Sequence, residues 1–504
     1  MDVALIFISD SPITSLGAKI PVNYRIRFIP GRFVVTLVRF GKNSMSDKKE
    51  TPRRLGLISL GCPKNTVDSE RLLGELYALG WHLAEIDDEP DCIIVNTCGF
   101  IRDARLESEE AIGEICELKS ELPHLKLVVT GCLPQREGIR LRDEFPEIDL
   151  VVGVGSLEEL PGLLENLISS ERSENASEQS LCLPGRAALS LASDPRLRLT
   201  PSWTAYMKVA EGCSHSCAFC TIPSIKGPYR SRTVGDVVEE ARILAEEEVR
   251  EIILISQDTT AYGSDIGTNL RALLTELDRV EGIEWIRLHY LYPGKISGGL
   301  LDVIAESGHV LPYFDIPIQH VNSRILHAMD RPGADLDMME IIDQIRGRFA
   351  ETDRPACIRS TLIAGFPGES DEDFAELLDF VETARIDRLS VFRFSPEEGT
   401  PAAELPEQVP EEVAQKRVDL LMETQHDVSL EINEEWIGKE LDVLMEGVAD
   451  DGTRIGRSYR DAPEIDGLVY VRGLTDDISD GRMVRAGITG ALPYDLEAEW
   501  LKKK

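Results

Sequence analysis

Three short runs constrain this chain more than anything else in it: "LGLISLGC" (55–62), "DCIIVNTC" (91–98) and "LKLVVTGC" (125–132). Each is almost continuously apolar, and each ends in a cysteine. Between them lie an amphipathic stretch with a glycine stop, "DSERLLGELYALG" (68–80), and a helical pattern near 104–120. Strands that are apolar on both sides, alternating with helices, belong to a parallel sheet covered on both faces. All carboxyl ends of such a sheet lie on one edge, where folds of this class place their ligands. Cys62, Cys98 and Cys132 are therefore expected to converge there. Each stands beside a glycine, as a tight loop with close backbone approach requires. Three buried cysteines that merely follow strands are the alternative.

A second set is compressed into "EGCSHSCAFC" (211–220), where Cys213, Cys217 and Cys220 occupy eight positions. Zinc sites usually pair two Cys-x₂-Cys knuckles or add a histidine pair, and no such pair lies nearby. His215 falls inside the loop and is expected to be solvated rather than a ligand. Three thiolates this close suit three corners of a cubane iron–sulfur cluster, leaving one iron without a protein ligand. An open iron can bind a substrate or cofactor.

A chain of 504 residues has room for about two to four domains. Its formal charge of −35 argues against a surface built to neutralise phosphates and favours a basic protein partner. No apolar run approaches the roughly 18 to 20 residues that cross a bilayer, and no signal-peptide pattern opens the chain, so a cytoplasmic location is expected. Ten cysteines in a reducing compartment indicate ligation or catalysis rather than disulfides. Of the four outside the two sets, burial accounts for Cys92, Cys116 and Cys357, and Cys182 falls in a linker.

Residues 1–44 carry six Lys or Arg against two Asp, so the remainder bears −39. This segment is read as an upstream extension or a mis-called start, with Met45 the alternative start. A basic targeting arm is the competing reading, although Val, Ile and Phe dominate here. The expected organisation is an atypical, disordered extension (1–52), an α/β domain with a parallel sheet (53–168), and a polar linker (169–198). A second α/β run (199–430) and a terminal β domain (431–500) follow. The second run holds six strand candidates, "AYMKVAEG", "EIILISQ", "EWIRLHY", "YFDIPIQ", "IRSTLIAGF" and "RLSVFRF", with helices near 236–248, 335–350 and 371–385. Six units make an open or partial (β/α)6 barrel rather than a closed eightfold one. After a charged helix near 410–435, short strands with turn signals predict a small antiparallel β-barrel.

The Cys213/Cys217/Cys220 spacing resembles the signature of radical S-adenosylmethionine enzymes, with Phe219 where that family places an aromatic. "STLIAGFPGES" (360–370) resembles the family's glycine-rich strand beside the adenosine, which makes Gly365 and Gly368 candidate cofactor contacts; an ordinary strand-end turn explains them equally well. Over residues 53–500 the chain resembles the methylthiotransferases, and within them the RimO branch, which modifies a ribosomal protein. The residues that carry this are "SLGCPKNTVDSE" (59–70), "VNTCGFI" (95–101), "SQDTTAYG" (256–263), "RLHYLYP" (287–293), "FDIPIQH" (314–320), "SPEEGTPA" (395–402) and "IGRSYRDAPEIDG" (455–467).

The resemblance implies two 4Fe-4S clusters, one on Cys62, Cys98 and Cys132 and one on Cys213, Cys217 and Cys220. The second would bind S-adenosylmethionine and generate a 5′-deoxyadenosyl radical. It also implies methylthiolation of an aspartate β-carbon in the twelfth protein of the small ribosomal subunit, with flavodoxin or ferredoxin as electron donor. The terminal barrel resembles a TRAM domain. Its ten Lys or Arg against fourteen Asp or Glu oppose direct nucleic-acid binding and suit a basic ribosomal protein. A tRNA methylthiotransferase with the same six cysteines is the nearest alternative, and a non-enzymatic iron–sulfur scaffold a more distant one. Gln257, Asp258, His289 and His320 lie at expected strand ends, as target-binding residues or as structural residues of the barrel rim.

Overall fold

The computed structural model describes residues 5–12, 21–29, 32–37, 53–86, 89–169, 181–183, 185–475 and 477–502. Residues 170–180 of the expected linker lie outside them. The chain forms two compact units: Met1–Ser214 with Cys220–Val249 and Ile255–Gln257, and His215–Phe219 with Arg250–Leu254 and Asp258–Lys504.

In the first unit, the amino-terminal segment contributes three antiparallel strands, β1 (Leu5–Pro12), β2 (Pro21–Ile29) and β3 (Arg32–Leu37). The rest of that segment is outside the described residues. β3 runs antiparallel to β4 (Arg53–Leu60). The expected alternation then follows: α1 (Pro63–Ala78), β5 (Trp81–Leu83), β6 (Cys92–Thr97), α2 (Arg102–Glu121), β7 (Lys126–Gly131), α3 (Cys132–Glu144), β8 (Leu150–Gly153), α4 (Leu160–Ser169) and β9 (Leu181–Cys182). β4, β6, β7, β8 and β9 pair in that order, all parallel.

The two-residue period of the strands decides what covers each face. Leu55, Leu57, Ile94, Val128 and Val152 pack with Leu72, Leu73 and Leu76 of α1 and Leu160 and Leu164 of α4. Their neighbours Ile58, Ile93, Val95, Leu127 and Val129 pack with Ile112 and Ile115 of α2 and Leu133 and Leu141 of α3. Both faces are dry, which is why these strands lack polar alternation. The unit continues through β10 (Thr204–Lys208), β11 (Ala210–Glu211), α5 (Ile222–Lys226), β12 (Arg230–Ser231) and α6 (Val234–Glu246).

The second unit carries β13 (Glu251–Ile255, its last residue grouped with the first unit), α7 (Leu270–Leu277), β14 (Trp285–Leu288), α8 (Gly298–Glu306), β15 (Tyr313–Gln319), α9 (Ser323–Ala328), α10 (Met338–Phe349), β16 (Cys357–Ala364), α11 (Asp371–Ala384) and β17 (Arg388–Arg393). β13 and β14 pair in parallel, as do β15, β16 and β17. Between β14 and β15 the ladder thins to a bridge from Ile286 to Val310 and a bond from Leu291 N–H to the Asp315 carbonyl, 2.7 Å. The barrel wall is therefore two short sheets, consistent with a partial barrel.

α12 (Glu411–Glu434) leads into β18 (Glu440–Val448), β19 (Arg454–Ser458), β20 (Val469–Arg472), β21 (Met483–Ala491) and β22 (Leu496–Trp500), a closed barrel in the order β18-β19-β20-β22-β21. One pair, β20 with β22, is parallel rather than antiparallel, because β21 intervenes and reverses the chain twice. Among the described residues no helix is long and apolar enough to cross a membrane.

Buried ion pairs and a tyrosine hydrogen bond join this barrel to the preceding strands. Glu251, at the first position of β13, accepts from Arg287 Nε at 2.8 Å and from Arg457 Nη2 of β19 at 2.6 Å. Arg388, opening β17, donates to Asp461 at 2.6 Å, and Tyr313, opening β15, donates to Asp466 at 2.6 Å. Burial alone would push the Glu251 carboxyl up, but the Arg457 and Arg287 guanidiniums hold it down to about 2. A depressed value stabilises fully above the ordinary 4.5 and stops doing so as pH falls toward 2. Glu251→Gln should therefore cost about 3 kcal/mol at neutral pH, since it strands two buried guanidiniums. In urea unfolding followed by circular dichroism, the gap between wild type and variant should shrink as pH drops through that window; a gap independent of pH would contradict this account.

Candidate active site

The parallel ladder places Cys62 two residues past β4, Cys98 directly after β6 and Cys132 directly after β7, on one edge of the sheet. Their loops are in close contact. Gly61 has φ +96°, and a Cβ there would lie 3.2 Å from Cys98 Sγ. Gly131 has φ +105°, and its Cβ would come within 2.4 Å of the Thr97 carbonyl. Buried Asn65 clamps the group: its Nδ2 donates to the Leu60 and Thr97 carbonyls at 3.1 and 2.9 Å, and its Oδ1 lies 3.6 Å from Cys132 Sγ. Ser108 holds the Cys98 backbone from the other side, accepting its N–H at 3.1 Å and donating to its carbonyl at 3.0 Å.

Cys62 caps the amino terminus of α1, and Cys132 is the first residue of α3, where the helix dipole favours a thiolate. Burial works in the opposite sense. It pushes the Cys98 thiol up to about 12, with Cys132 and Cys62 adding to the effect. Burial pushes Cys132 up to about 11 against the nearby Lys226 charge. Thiols that raise one another in this way are crowded donors, and a bound cation relieves that repulsion by displacing their protons. All ten cysteines are free thiols. Among the described residues no trio of metal-ligating side chains converges as tightly as a single ion demands. A four-iron cube spreads its thiolates over separate corners, so an all-cysteine edge fits it.

The loop after β11 also belongs to the first unit. Cys213 N–H donates to the Gly227 carbonyl at 3.0 Å, and Thr221 Oγ1 donates to the Phe100 carbonyl at 3.4 Å. Ile225 packs on Cys132. Next to it, Lys226 Nζ donates to Asp68 at 3.1 Å, and Lys208 bridges Asp68 and Glu211. Burial would push Lys226 down, but Asp68, Glu211 and Cys132 hold it well above its ordinary value. Glu211, also buried, is held down to about 2 by Lys208 and Lys226 and accepts from Gln257 Nε2 at 3.1 Å. Gln257 is thus tied into this network.

In the second unit, Cys217 Sγ lies 3.6 Å from Arg331 Nη1. Ala218 N–H donates to the Met329 carbonyl at 2.7 Å, and Phe219 packs against the cluster of Ile325, Leu326, Phe366 and Phe394. His215 is not the solvated loop residue expected. Its Nε2 meets Asp258 Oδ2 at 2.8 Å, and its ring lies 4.9 Å from that of Tyr292. Burial pushes Asp258 up, but hydrogen bonds from His215 and Thr260 keep it below the usual carboxylate range.

The remaining candidates are wired into the barrel. His289 is buried, stacked on Tyr313, with Nδ1 3.9 Å from Asp315. His320 Nδ1 accepts from Asn322 N–H at 3.0 Å, which places its proton on Nε2, 3.7 Å from Glu369. Gly365 and Gly368 have φ +80° and +79° in the turn after β16. A Cβ at Gly365 would lie 2.3 Å from Ala414 Cβ of α12, and its N–H donates to Glu369 at 2.9 Å, so packing by itself requires this glycine. Residue-by-residue reading missed Arg331, Lys208, Asp68 and Lys226. Lys226 stands in the same short stretch as the cysteines, "CTIPSIKG", and that proximity was the available signal.

Comparison with known proteins matches residues 54–153 to the uncharacterized protein family UPF0004, 207–381 to the radical SAM superfamily and 437–501 to the TRAM domain. Among curated proteins, the ribosomal protein uS12 methylthiotransferase RimO of Anaeromyxobacter sp. (strain Fw109-5) is 42% identical over 448 residues, covering 88% of this chain and 92% of that one. The proteins of the same name from Clostridioides difficile (strain 630) and Moorella thermoacetica are 42% and 44% identical over 450 and 440 residues, covering 89% and 86% of this chain and 99% and 96% of theirs. Among solved structures, the radical S-adenosylmethionine methyltransferase TsrM from Kitasatospora setae, with cobalamin and [4Fe-4S] cluster bound, shares the fold at TM-score 0.51. It is 14% identical, covering 78% of this chain and 81% of that one. With three matching domains in order and relatives above 40% identity along nearly their whole length, the chain belongs to the RimO family of radical S-adenosylmethionine methylthiotransferases.

Proposed function

We propose that this protein methylthiolates the β-carbon of an aspartate in ribosomal protein uS12, giving a 3-methylthioaspartyl residue. The observation that carries this reading is the end-to-end likeness to relatives of that name, in a chain whose six implied ligand cysteines lie in two sets of three. Cys62, Cys98 and Cys132 would hold one four-iron cluster and Cys213, Cys217 and Cys220 a second. When bound, these groups supply the electron that splits S-adenosylmethionine into methionine and a 5′-deoxyadenosyl radical, the sulfur to be added and, with a second S-adenosylmethionine, the methyl group.

What the chain's own residues do follows from their positions. Gly61 and Gly131 let the three strand-end loops close on one another, and Asn65 locks them. Asp68, Lys208, Lys226 and Glu211 place buried, balanced charge beside Cys132. Phe219 packs the Cys217 loop against an apolar cluster and so fixes its position. The turn at Gly365 and Gly368 closes the carboxyl end of β16, where the adenosine side of the cofactor would lie.

The acidic chain suits a basic substrate protein in the cytoplasm, with a flavodoxin- or ferredoxin-type donor supplying electrons. Anaerobically reconstituted protein should hold about eight irons. Cys217→Ala should hold about half as many and form no 5′-deoxyadenosine; cofactor cleavage that persists in this variant would overturn the radical assignment. Offered uS12 or unmodified tRNA with S-adenosylmethionine and reductant, the enzyme should add the methylthio mass to the protein alone, as read by mass spectrometry. Addition to tRNA alone would assign it to the RNA-modifying branch.

A further inference from the structure

The Cys217 sulfur has a cationic neighbour that none of the sequence motifs contains. Arg331 Nη1 lies 3.6 Å from Cys217 Sγ, within hydrogen-bond reach for sulfur. Its Nη2 donates to the Pro317 carbonyl at 2.6 Å, and its guanidinium carbon sits 5.0 Å from the Tyr292 ring centroid. The backbone on either side is fixed as well. Arg331 N–H donates to the Leu326 carbonyl at 3.0 Å, and Met329 accepts from Ala218 N–H, next to Cys217. The guanidinium is thus held by a carbonyl, an aromatic face and a short hydrogen-bonded backbone before any cluster is present. Its buried Nε–H has no hydrogen-bond partner among the described residues.

We infer that Arg331 is a positioning residue that raises the reduction potential of the cluster held by Cys217, through a charge-assisted N–H to sulfur hydrogen bond. An arginine is always protonated, and a donor to a cluster thiolate withdraws negative charge from it. Adding one electron makes the cluster more negative, so the bond is stronger in the reduced state and the couple shifts upward. Electron transfer from a flavodoxin- or ferredoxin-type donor becomes correspondingly more favourable.

This inference rests on Cys217 being a cluster ligand, and the test separates the two claims. The full chain with Cys62, Cys98 and Cys132 all replaced by alanine retains only the second set of three. Reconstituted anaerobically, it is titrated with dithionite and followed by electron paramagnetic resonance, with iron content measured in parallel. Arg331→Gln, which loses the charge, should lower the reduced-to-oxidised ratio at a fixed potential about tenfold, as expected for losing one hydrogen bond to a charged group; for a one-electron couple that is about 59 mV. Arg331→Lys, which keeps the charge without the planar fork, should fall between Gln and wild type. Both variants should keep the iron of the parent. A wild-type potential in Arg331→Gln overturns the inference. Loss of iron from both variants overturns it equally, by giving Arg331 a role in retaining the cluster instead. A parent that binds no iron at all would instead overturn the assignment of Cys217 as a ligand.

Discussion

Parallel pairing between β4, β6 and β7 is the constraint on which the amino-terminal site depends. Three cysteines far apart in sequence become neighbours only because every strand of such a ladder ends on the same edge. The helices that follow point their amino termini at that edge, so Cys62 and Cys132 start α1 and α3. The apolar character of the strands is the cost of this arrangement, because crossover helices must cover both faces. One-sided burial would permit antiparallel hairpins, and successive strand ends would then fall on opposite edges.

Charge buried in each unit acts differently from the apolar core. A buried ion pair gains little over apolar packing of the same volume, because desolvation offsets most of the attraction. Leaving one partner alone, by contrast, is severely unfavourable. Asp68, Lys208, Lys226 and Glu211 therefore disfavour any arrangement in which α1, β10, β11 and α5 are out of register. The same reasoning applies to the buried group of Glu251, Arg287 and Arg457. Both networks thereby favour one register of these elements over its alternatives.

Much of this was legible in the sequence, for identifiable reasons. The helix expected near 410–435 is Glu411–Glu434, and that expected at 371–385 is Asp371–Ala384, because a Ser370–Asp373 capping box fixes its start. The strand-end cysteines followed from apolar runs alone. Arg331 could not be found this way: it touches Cys217 from 114 positions away, and nothing in "MDRPGAD" marks it. His215 was misjudged because its partner Asp258 belongs to another strand's end. Gly365 looked equally like a ligand contact and a turn; only the approach of Ala414, from a helix beginning some fifty residues later, shows what a side chain there would strike. Local pattern reports what the backbone will do, whereas these roles depend on which distant side chain arrives.

The position of the terminal barrel limits how it can contribute. Its contacts with the α/β strands run through Arg457, Tyr459, Asp461 and Asp466, which meet Glu251, Arg287, Arg388 and Tyr313. Glu251, Tyr313 and Arg388 each open their strand, and Arg287 is the third residue of β14. Asp258 and Gly365 lie past the opposite ends. The barrel is thus fastened mainly at the amino ends of the strands. A surface fastened there stands apart from the carboxyl ends of those strands. For such a surface the sign of charge matters more than exact shape, since complementary fields raise the encounter rate without close fit. Fourteen acidic against ten basic residues in 437–504 are a balance that suits a basic surface better than a phosphate backbone.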